Sequence, residues 1–377
     1  METCKSHARD DQGNDMTRMR MFYLSCVRRV CGLMLLLGMS VTFSAWSNEP
    51  PDVTSYLQYR LTLPEKAPDY GSLRRLKLMV QGELRGGTSY YLQGLYKDNN
   101  RSTTDGQPYL QEAWLKCQHG NRAITVGQFK PPFGLERFTP DWDLDTIDRS
   151  IATDSLIPNG KLDDGKGFAR DRGVQWEMLT AEKQIWWAVG VFDGHGANAN
   201  PKGVAPLVVT RITWMARNKK TMRVKVGGAF ATREASDMDF SKALPGTAAL
   251  GYAAFDGRDT RWNLETALDW SAWRFRGEYF HAHFAPDNGT MQDVTAMGFY
   301  AQVCRPFARR LEAALKYEEF DPNASIADRN DLCQTTLGLN CFLRGRQDKV
   351  QVNYVWKRER VQPVDNDALV IQVQKFF

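Results

Sequence analysis

Apolar and polar residues alternate with a period of two along most of the chain, and no stretch shows sustained helical periodicity. Near the middle of the chain Val224 and Val226 alternate with Arg223 and Lys225. Such alternation predicts β-strands with one apolar and one polar face. Sixteen segments follow the pattern, at about 53–63, 74–85, 88–97, 108–118, 122–130, 172–180, 184–192, 205–217, 220–231, 260–270, 272–284, 293–305, 308–320, 332–343, 347–357 and 367–377.

The links between these segments alternate between short and long. Residues 86–87 follow the second segment and 218–219 the eighth, whereas 97–106 follow the third and 321–330 the thirteenth. A soluble β-sandwich gives no reason for this order, but a transmembrane barrel has tight periplasmic turns and long outer loops. We therefore predict an all-β fold, a transmembrane antiparallel β-barrel of about sixteen strands. A barrel of that width leaves a water-filled lumen, which predicts a pore.

The link after the fifth segment is exceptional, because it runs for about forty residues from Pro131 to Asp171. Structureless links of more than about 15 residues are uncommon unless they are functional. As the third outer loop of a wide barrel, this link is expected to fold into the lumen and to set its narrowest point. The candidate constriction residues are Pro131, Pro132, Phe133, Gly134, Asp148 and Arg149.

The N-terminal residues 1–47 are predicted to be an extension followed by a secretory signal peptide. Four arginines precede a short apolar run at 30–45, and Ala45 and Ser47 form a small-x-small cleavage site. Cleavage after Ser47 would leave a barrel of residues 48–377, and the alternative is a single membrane anchor. Residues 1–15 are polar, so the initiator could be Met16, Met19 or Met21. Export agrees with a place in the outer membrane of a Gram-negative bacterium.

The C-terminal segment ends in an aromatic residue on its apolar face. Leu369, Ile371, Val373 and Phe377 share that face, and Phe377 is the last residue. A terminal aromatic on an alternating strand resembles the signal by which the barrel assembly machinery recognises outer-membrane proteins. We therefore assign Phe377 as an assembly signal, and expect outer-membrane lipid around the apolar face.

Several motifs resemble one family, the phosphate-selective porins O and P of Gram-negative outer membranes. The most specific is VGQFKPPFGLE at 126–136. Further similar stretches are IDRS at 147–150, ARDRGVQW at 169–176, AVGVFDG at 188–194, GEYF at 277–280, LGLN at 337–340 and VQVNY at 350–354. The resemblance implies a sixteen-stranded homotrimeric porin whose basic pore residues bind phosphate or polyphosphate.

Strand phasing directs twelve Lys and Arg but only eight Asp and Glu of the wall toward the lumen. Rings of Arg and Lys suit anion pores, and small anions are the expected solutes. The candidate anion-binding residues are Lys77, Arg85, Lys130, Arg137, Arg149, Arg211, Arg223, Lys225, Arg274 and Arg276. For any single wall cation the alternative is a solvated side chain of the wall with no binding role.

The third loop points in the other direction. Residues 130–172 contain seven basic and nine acidic residues. An acidic loop facing a basic wall is also the arrangement of non-selective porins, so a general diffusion porin remains open. For Lys130, Arg137 and Arg149 the alternative role is a salt bridge to Glu136, Asp145 or Asp148 that holds the loop in shape.

Other chemistry has little support in the sequence. There is no GxSxG, HExxH or phosphate-binding glycine loop, so no enzyme, metal or cofactor is expected. His281 and His283 share a strand face and are the only candidates for a barrel enzyme such as a lipase. A secreted soluble β-protein that binds a ligand is a third alternative, and solubility on cell fractionation would favour it.

Charge and cysteine content exclude two further classes. Residues 48–377 carry 43 basic and 40 acidic side chains, so net charge gives no indication of a nucleic-acid partner. Four cysteines remain in them, Cys117, Cys304, Cys333 and Cys341, without zinc or redox spacing. Cys333 and Cys341 fall in one predicted strand, roughly 26 Å apart at about 3.3 Å per residue, and cannot bridge each other.

Overall fold

A computed structural model describes residues 49–98, 106–164, 169–199, 206–218, 222–240, 254–288, 292–327, 330–361 and 364–377. The predicted leader at 1–47, with its cleavage site and candidate initiators, lies outside them. None of the helices in the described ranges is both long and apolar enough to cross a membrane.

The described chain forms sixteen strands, as the sequence predicts. Their bounds are β1 Asp52–Pro64, β2 Tyr70–Leu84, β3 Thr88–Tyr96, β4 Tyr109–His119, β5 Arg122–Phe129, β6 Asp171–Leu179, β7 Ile185–Phe192, β8 Leu207–Asn218, β9 Met222–Asp239, β10 Ala254–Trp270, β11 Trp273–Pro286, β12 Val294–Ala308, β13 Leu311–Asp321, β14 Leu332–Arg344, β15 Asp348–Glu359 and β16 Ala368–Phe376.

The strands close into one antiparallel barrel. Each strand pairs with its neighbour in sequence, and β1 pairs with β16 from Tyr56↔Phe376 to Pro64↔Ala368. Closure supplies every strand with two partners, so the sheet has no edge, which is the requirement for a sheet that spans a bilayer. The first strand is therefore a full member of the barrel.

The two faces of the barrel differ as the alternation predicts. Leu264, Ile212 and Leu337 point outward and are at least half exposed, at 59%, 53% and 50%, as expected of side chains that meet lipid in the bilayer. Gln58 and Asn340 point inward and are fully buried among other polar side chains. The apolar face is thus the outer one and the polar face lines the lumen.

Strand lengths depart from the prediction at two places. β9 and β10 continue to Asp239 and from Ala254, well beyond the predicted 220–231 and 260–270. Their ends remain paired, for example at Arg258↔Glu234, so backbone hydrogen bonding extends the hairpin where its sequence turns polar. The first outer link, 65–69, is as short as the turn at 180–184, so the alternation of link lengths is not uniform.

The third loop comprises residues 130–170, and its described part, 130–164 and 169–170, contains three short helices and one 3₁₀ turn. These are α1 (Leu135–Phe138), the 3₁₀ turn (Asp141–Asp143), α2 (Ile151–Leu156) and α3 (Lys161–Asp164). Ser150 caps α2, since its hydroxyl accepts a hydrogen bond from the Thr153 amide at 3.0 Å.

An apolar cluster lies between the third loop and the inner wall. Ala152 and Leu156 of α2 are buried in the same cluster as Phe280, Phe284 and other inward residues of the wall. The expected polar lumen wall is therefore apolar where β11 to β13 carry the loop. The physical reason is that a loop folded inside the barrel needs its own hydrophobic contact to hold it.

The four cysteines at 117, 304, 333 and 341 are free thiols in the described chain. Cys333 and Cys341 both lie in β14, as predicted.

Candidate pore constriction

The third loop touches the barrel wall on several sides. Asp148 pairs with Arg60 of β1, Leu135 and Glu136 donate backbone hydrogen bonds to Glu278 of β11, and Leu144 accepts one from Lys349 of β15. A segment that contacts β1, β11 and β15 of one closed barrel can do so only by crossing its interior. The loop therefore lies against the inward faces of these three strands.

The motif VGQFKPPFGLE turns the chain inward at the start of the third loop. Pro131, Pro132 and Phe133 are buried, and Phe133 packs against Phe280 with ring centroids 6.3 Å apart. Gly134 has a φ of 79°, and a Cβ there would lie 3.1 Å from Glu278 Oε2. The backbone therefore needs glycine at the point where α1 approaches the carboxylate.

Asp141 is the centre of a charged network on the loop. Its carboxylate pairs with Lys77 Nζ at 2.5 Å, with Arg75 Nε at 3.5 Å and with the Arg149 guanidinium. Burial alone would raise the pKa of Asp141, but Lys77, Arg75 and Arg149 together lower this pKa well below its usual range. The carboxylate is therefore ionised at any physiological pH.

Arg149 also holds the loop together internally. Its Nε and Nη2 donate to the backbone carbonyls of Glu136 and Thr139, at 3.2 and 2.5 Å. Arg137 lies 3.8 Å from Asp154 Oδ1. The sequence offered Glu136, Asp145 and Asp148 as side-chain partners for these arginines, and that choice is wrong, because folding brings Asp141 and Asp154 closer.

Lys130 differs from both arginines. Within the described ranges its ammonium forms no salt bridge, and the Phe138 ring lies 5.8 Å away. Burial lowers the pKa of Lys130 well below its usual range, and the cations Arg170, Arg149 and Arg137 lower it further, against the opposing effect of Glu112. Lys130 thus lies among other positive groups, which disfavour its charged form.

We call the group of cations around Lys130, together with its carboxylates, the cation cluster. Its members are Arg75, Lys77, Lys130, Arg137, Arg149 and Arg170, and its carboxylates are Glu112, Asp141 and Asp154. Six cations and three carboxylates leave a local excess of positive charge. The same crowding, after burial, lowers the pKa of Arg137 to about 9.

Other acidic residues of the loop pair with cations of the barrel wall outside the cluster. Asp145 is 2.6 Å from Arg274 Nη2, and Asp148 is 2.9 Å from Arg60 Nη2. Asp163 is 2.6 Å from a guanidinium nitrogen of both Arg233 and Arg261. The net negative charge of the loop in sequence therefore does not reach the cation cluster, because the wall neutralises most of it.

The other predicted wall cations fall into two groups. Arg211, Arg223, Arg274 and Arg276 point inward, and each has a carboxylate oxygen within 2.8 Å. Lys225 lies on the same face of β9 as Arg223, is exposed, and has no salt bridge in the described chain.

The placement of Arg85 on the lumen wall is wrong. It lies exposed in the turn between β2 and β3, because β2 ends at Leu84.

Sequence reasoning missed several arginines that face the lumen, among them Arg60, Arg74, Arg75 and Arg170. Arg60 has the inward phase of β1, and Arg170, just before β6, lies 2.7 Å from Glu112. Arg74 and Arg75 are consecutive, yet both are buried and reach loop carboxylates. The register shift opposite Gln58 and Tyr59 makes this possible, since a bulge adds one residue to a strand.

Two groups of side chains contain residue types found in metal sites or catalytic centres. Cys304, Asp145 and Glu312 have ligand atoms within 4.8 Å of one another, but Arg274 already pairs with both carboxylates. His281 and His283 lie on the outer face of β11, where His281 stacks on Trp262 at 5.2 Å. Neither group has the arrangement of a catalytic centre.

Cavities lie on both sides of the loop. One of about 590 Å³ is lined by Arg60, Arg149, Lys161 and Lys316, among others. Another of about 360 Å³, on the side of the short turns, is lined by four arginines (Arg223, Arg274, Arg276 and Arg346) and by four carboxylates (Glu136, Asp143, Asp145 and Asp269). The cation cluster lies at the level of the loop between these two cavities.

A closed sixteen-stranded barrel with a charged loop across its lumen defines the porin class. The family model described as phosphate-selective porin O and P matches residues 60–376, so the chain belongs to that family. It is an outer-membrane porin of Gram-negative type. A comparison with curated proteins found no sequence relative.

Solved structures share the fold at low identity. An anion-selective porin from Comamonas acidovorans has a TM-score of 0.62 at 12% identity, covering 87% of this chain and 99% of its own. OmpT of Vibrio cholerae in its trimer form has a TM-score of 0.59 at 13% identity, with coverages of 87% and 99%. The channel DcaP of Acinetobacter baumannii has a TM-score of 0.59 at 11% identity, with coverages of 87% and 97%.

Proposed function

We propose that this porin admits small anions by passive diffusion and favours inorganic phosphate or polyphosphate. The observation that carries the proposal is the cation cluster, in which six cations face three carboxylates and Lys130 forms no salt bridge in the described chain. In a narrow lumen such an excess raises the local concentration of anions. The arginines add forked donors that match phosphate oxygens.

The comparisons support the same solute class. The family description names phosphate, and the neighbour from Comamonas acidovorans is described as anion-selective. Diffusion through a wet lumen requires no covalent step and no cofactor. In this mechanism the third loop sets the size limit and Lys130 is the cation that a passing anion meets, while the buried Arg137 and Arg149 contribute positive charge to the cation cluster.

The assembly state is part of the proposal. One neighbour is described as a trimer, and a homotrimer of residues 48–377 in outer-membrane lipid is the form we infer after cleavage at Ser47. Phe377 would direct the barrel assembly machinery to the chain.

The test is planar-bilayer recording with the purified protein. In a potassium chloride gradient the reversal potential should show preference for chloride, and added phosphate should reduce the chloride current. Preference for potassium would contradict the anion proposal. Chloride preference without block by phosphate would retain the anion channel but exclude phosphate as the favoured solute.

A general diffusion porin is the second candidate, and a specific observation favours it. Arg211, Arg223, Arg274 and Arg276 are each paired with a carboxylate, so much of the wall charge is neutralised. A reversal potential near zero, with conductance that tracks solute size alone, would support that candidate.

A further inference from the structure

Aromatic rings line the part of the lumen wall that faces the start of the third loop, where Lys130 and α1 lie. Tyr91, Trp114 and Trp186 are inward residues of β3, β4 and β7, and each is partly exposed. Phe138 of α1 is 37% exposed, whereas Phe133 in the same loop is 1% exposed. Phe138 therefore presents its ring to the lumen, while its neighbour belongs to the apolar cluster under the loop.

Cations stand next to this exposed ring. Lys130 Nζ is 5.8 Å from the Phe138 centroid, and Arg211 Cζ is 4.9 Å from it and 5.5 Å from the Trp186 ring. Arg211 is ion-paired with Glu265 at 2.7 Å, whereas Lys130 forms no salt bridge in the described chain. One positive charge beside the ring is thus available to a solute.

The same arrangement continues along the wall. The rings of Tyr91 and Trp114 stack with centroids 5.4 Å apart and an interplanar angle of 24°. Glu112 lies beside this pair of rings, since its carboxylate accepts a hydrogen bond from Trp114 Nε1 at 3.4 Å and pairs with Arg170 at 2.7 Å. We call Phe138, Lys130, Arg211 and Trp186 the Phe138 surface.

Inorganic phosphate would use only the cations of this surface. An organic anion with a planar ring could use both parts, because its charged group would meet the Lys130 ammonium while its ring packs on the exposed edge of Phe138. Offset or edge-to-face packing of two rings adds attraction beyond the apolar area that is buried. An aliphatic anion of equal charge lacks that contribution.

We propose that the Phe138 surface is a binding site for small aromatic anions, with the ring on Phe138 and the carboxylate or phosphate on Lys130. The inference rests on the proposed anion channel and extends its solutes to a class that the family description does not name. The site lies in the conduction path, so bound solute would both permeate and transiently obstruct the chloride current.

The experiment measures block of the chloride current through single channels in planar bilayers. Phenyl phosphate is compared with propyl phosphate, which has the same charged group and no ring. The half-blocking concentration of phenyl phosphate should be lower by a factor of about 2 to 10, the range that ring packing supplies. Phe138→Leu should remove this difference, and Phe138→Tyr should restore it.

Phe307→Leu is the matched control, since Phe307 is an exposed ring at the end of β12, away from the third loop. This variant should keep the preference for phenyl phosphate. Equal block by both phosphates in the unaltered protein, or a preference that survives Phe138→Leu in a folded channel, would overturn the inference and leave the anion channel standing. Cation selectivity of the unaltered protein would overturn the channel proposal itself.

Discussion

Arg60 of β1 and Asp148 of the third loop form a two-point salt bridge across the lumen. Nη2 of the arginine is 2.9 Å from Oδ1, and Nη1 is 3.0 Å from Oδ2. Arg74 Nη2 approaches the same carboxylate at 3.6 Å. Asp148 thus ties the loop to β1 and β2 and neutralises charge that would otherwise face the vestibule.

Replacing this carboxylate by Asp148→Asn should strengthen anion preference. A unit charge acts on a permeating ion at about 7 Å in water with an interaction energy of roughly 0.6 kcal/mol. Removing the charge of Asp148 should therefore raise the ratio of chloride to potassium permeability by about 2- to 3-fold. Reversal potentials measure the ratio. Asp365→Asn, which alters an exposed pair with Lys66, should leave it unchanged. A fall in the ratio would show that Asp148 acts mainly by holding the loop.

Lys130→Gln should weaken block of the chloride current by phosphate. A hydrogen bond to a charged group contributes about 1.5 to 3 kcal/mol, which corresponds to a loss of roughly tenfold or more in affinity. Concentration series in planar bilayers give the half-blocking value. Lys66→Gln, in the exposed outer link at 65–69, serves as the control. If phosphate blocks the Lys130→Gln channel as well as the unaltered one, the phosphate site must lie at another cation, such as Lys225.

Anion block should depend on pH because of the same lysine. Burial and the surrounding cations disfavour the charged form of Lys130 and lower its pKa. As pH rises, Lys130 therefore loses its proton before an exposed lysine would, and block by sulfate, whose own charge is constant in this range, should weaken at pH values well below the usual lysine pKa of about 10.4. Lys130→Arg should keep block constant over that range. A flat profile in the unaltered protein would contradict this account.

Glu278→Gln should loosen the third loop. Both oxygens of Glu278 accept backbone hydrogen bonds from the start of α1, each at 2.6 Å, and an amide side chain can replace only one of them. We expect greater current noise and a loss of about 1.5 to 3 kcal/mol in barrel stability. Two quantities are measured. One is the unfolding temperature, followed by the change in gel migration on heating, and the other is the current noise of the open channel. Glu319→Gln on the outer face is the matched control, and equal behaviour of both variants would exclude a tethering role.

Deletion of Phe377 should impair delivery more than folding. Its side chain is 69% exposed, while its backbone exchanges two hydrogen bonds with Ser55 at 3.0 and 3.2 Å. The yield in outer-membrane fractions should therefore fall several-fold, whereas refolding of purified chain into detergent should be nearly unchanged. Phe307→Ala removes an exposed ring from a similar level without touching the terminus. Normal membrane yield after the deletion would exclude the assembly role.

Strand phasing could be derived from sequence because a barrel wall has only two faces. Once Val226 is assigned to the lipid side, Lys225 must face the lumen. The phase fails where the ladder is irregular. Arg74 and Arg75 do not follow the alternation of faces, because a bulge places both side chains in the lumen. No residue type near them predicts this bulge from the sequence.

The sequence also could not reveal how charges are paired. It contains every carboxylate of the third loop, but separation along the chain says nothing about which wall cation each one meets. Asp145 reaches Arg274 and Asp163 reaches Arg261, both about a hundred residues or more away. The positive cluster around Lys130 exists because these distant pairs remove negative charge from it.

The alternation of residues and of link lengths by itself determined a closed wall with an apolar outside, since these follow from the two-residue period of a strand and the absence of water in lipid. Tertiary structure alone decided the path of the third loop, the pairing of its acids and the exposure of Phe138. Those features depend on contacts between segments far apart in the chain, and such contacts are set by three-dimensional packing rather than by local periodicity.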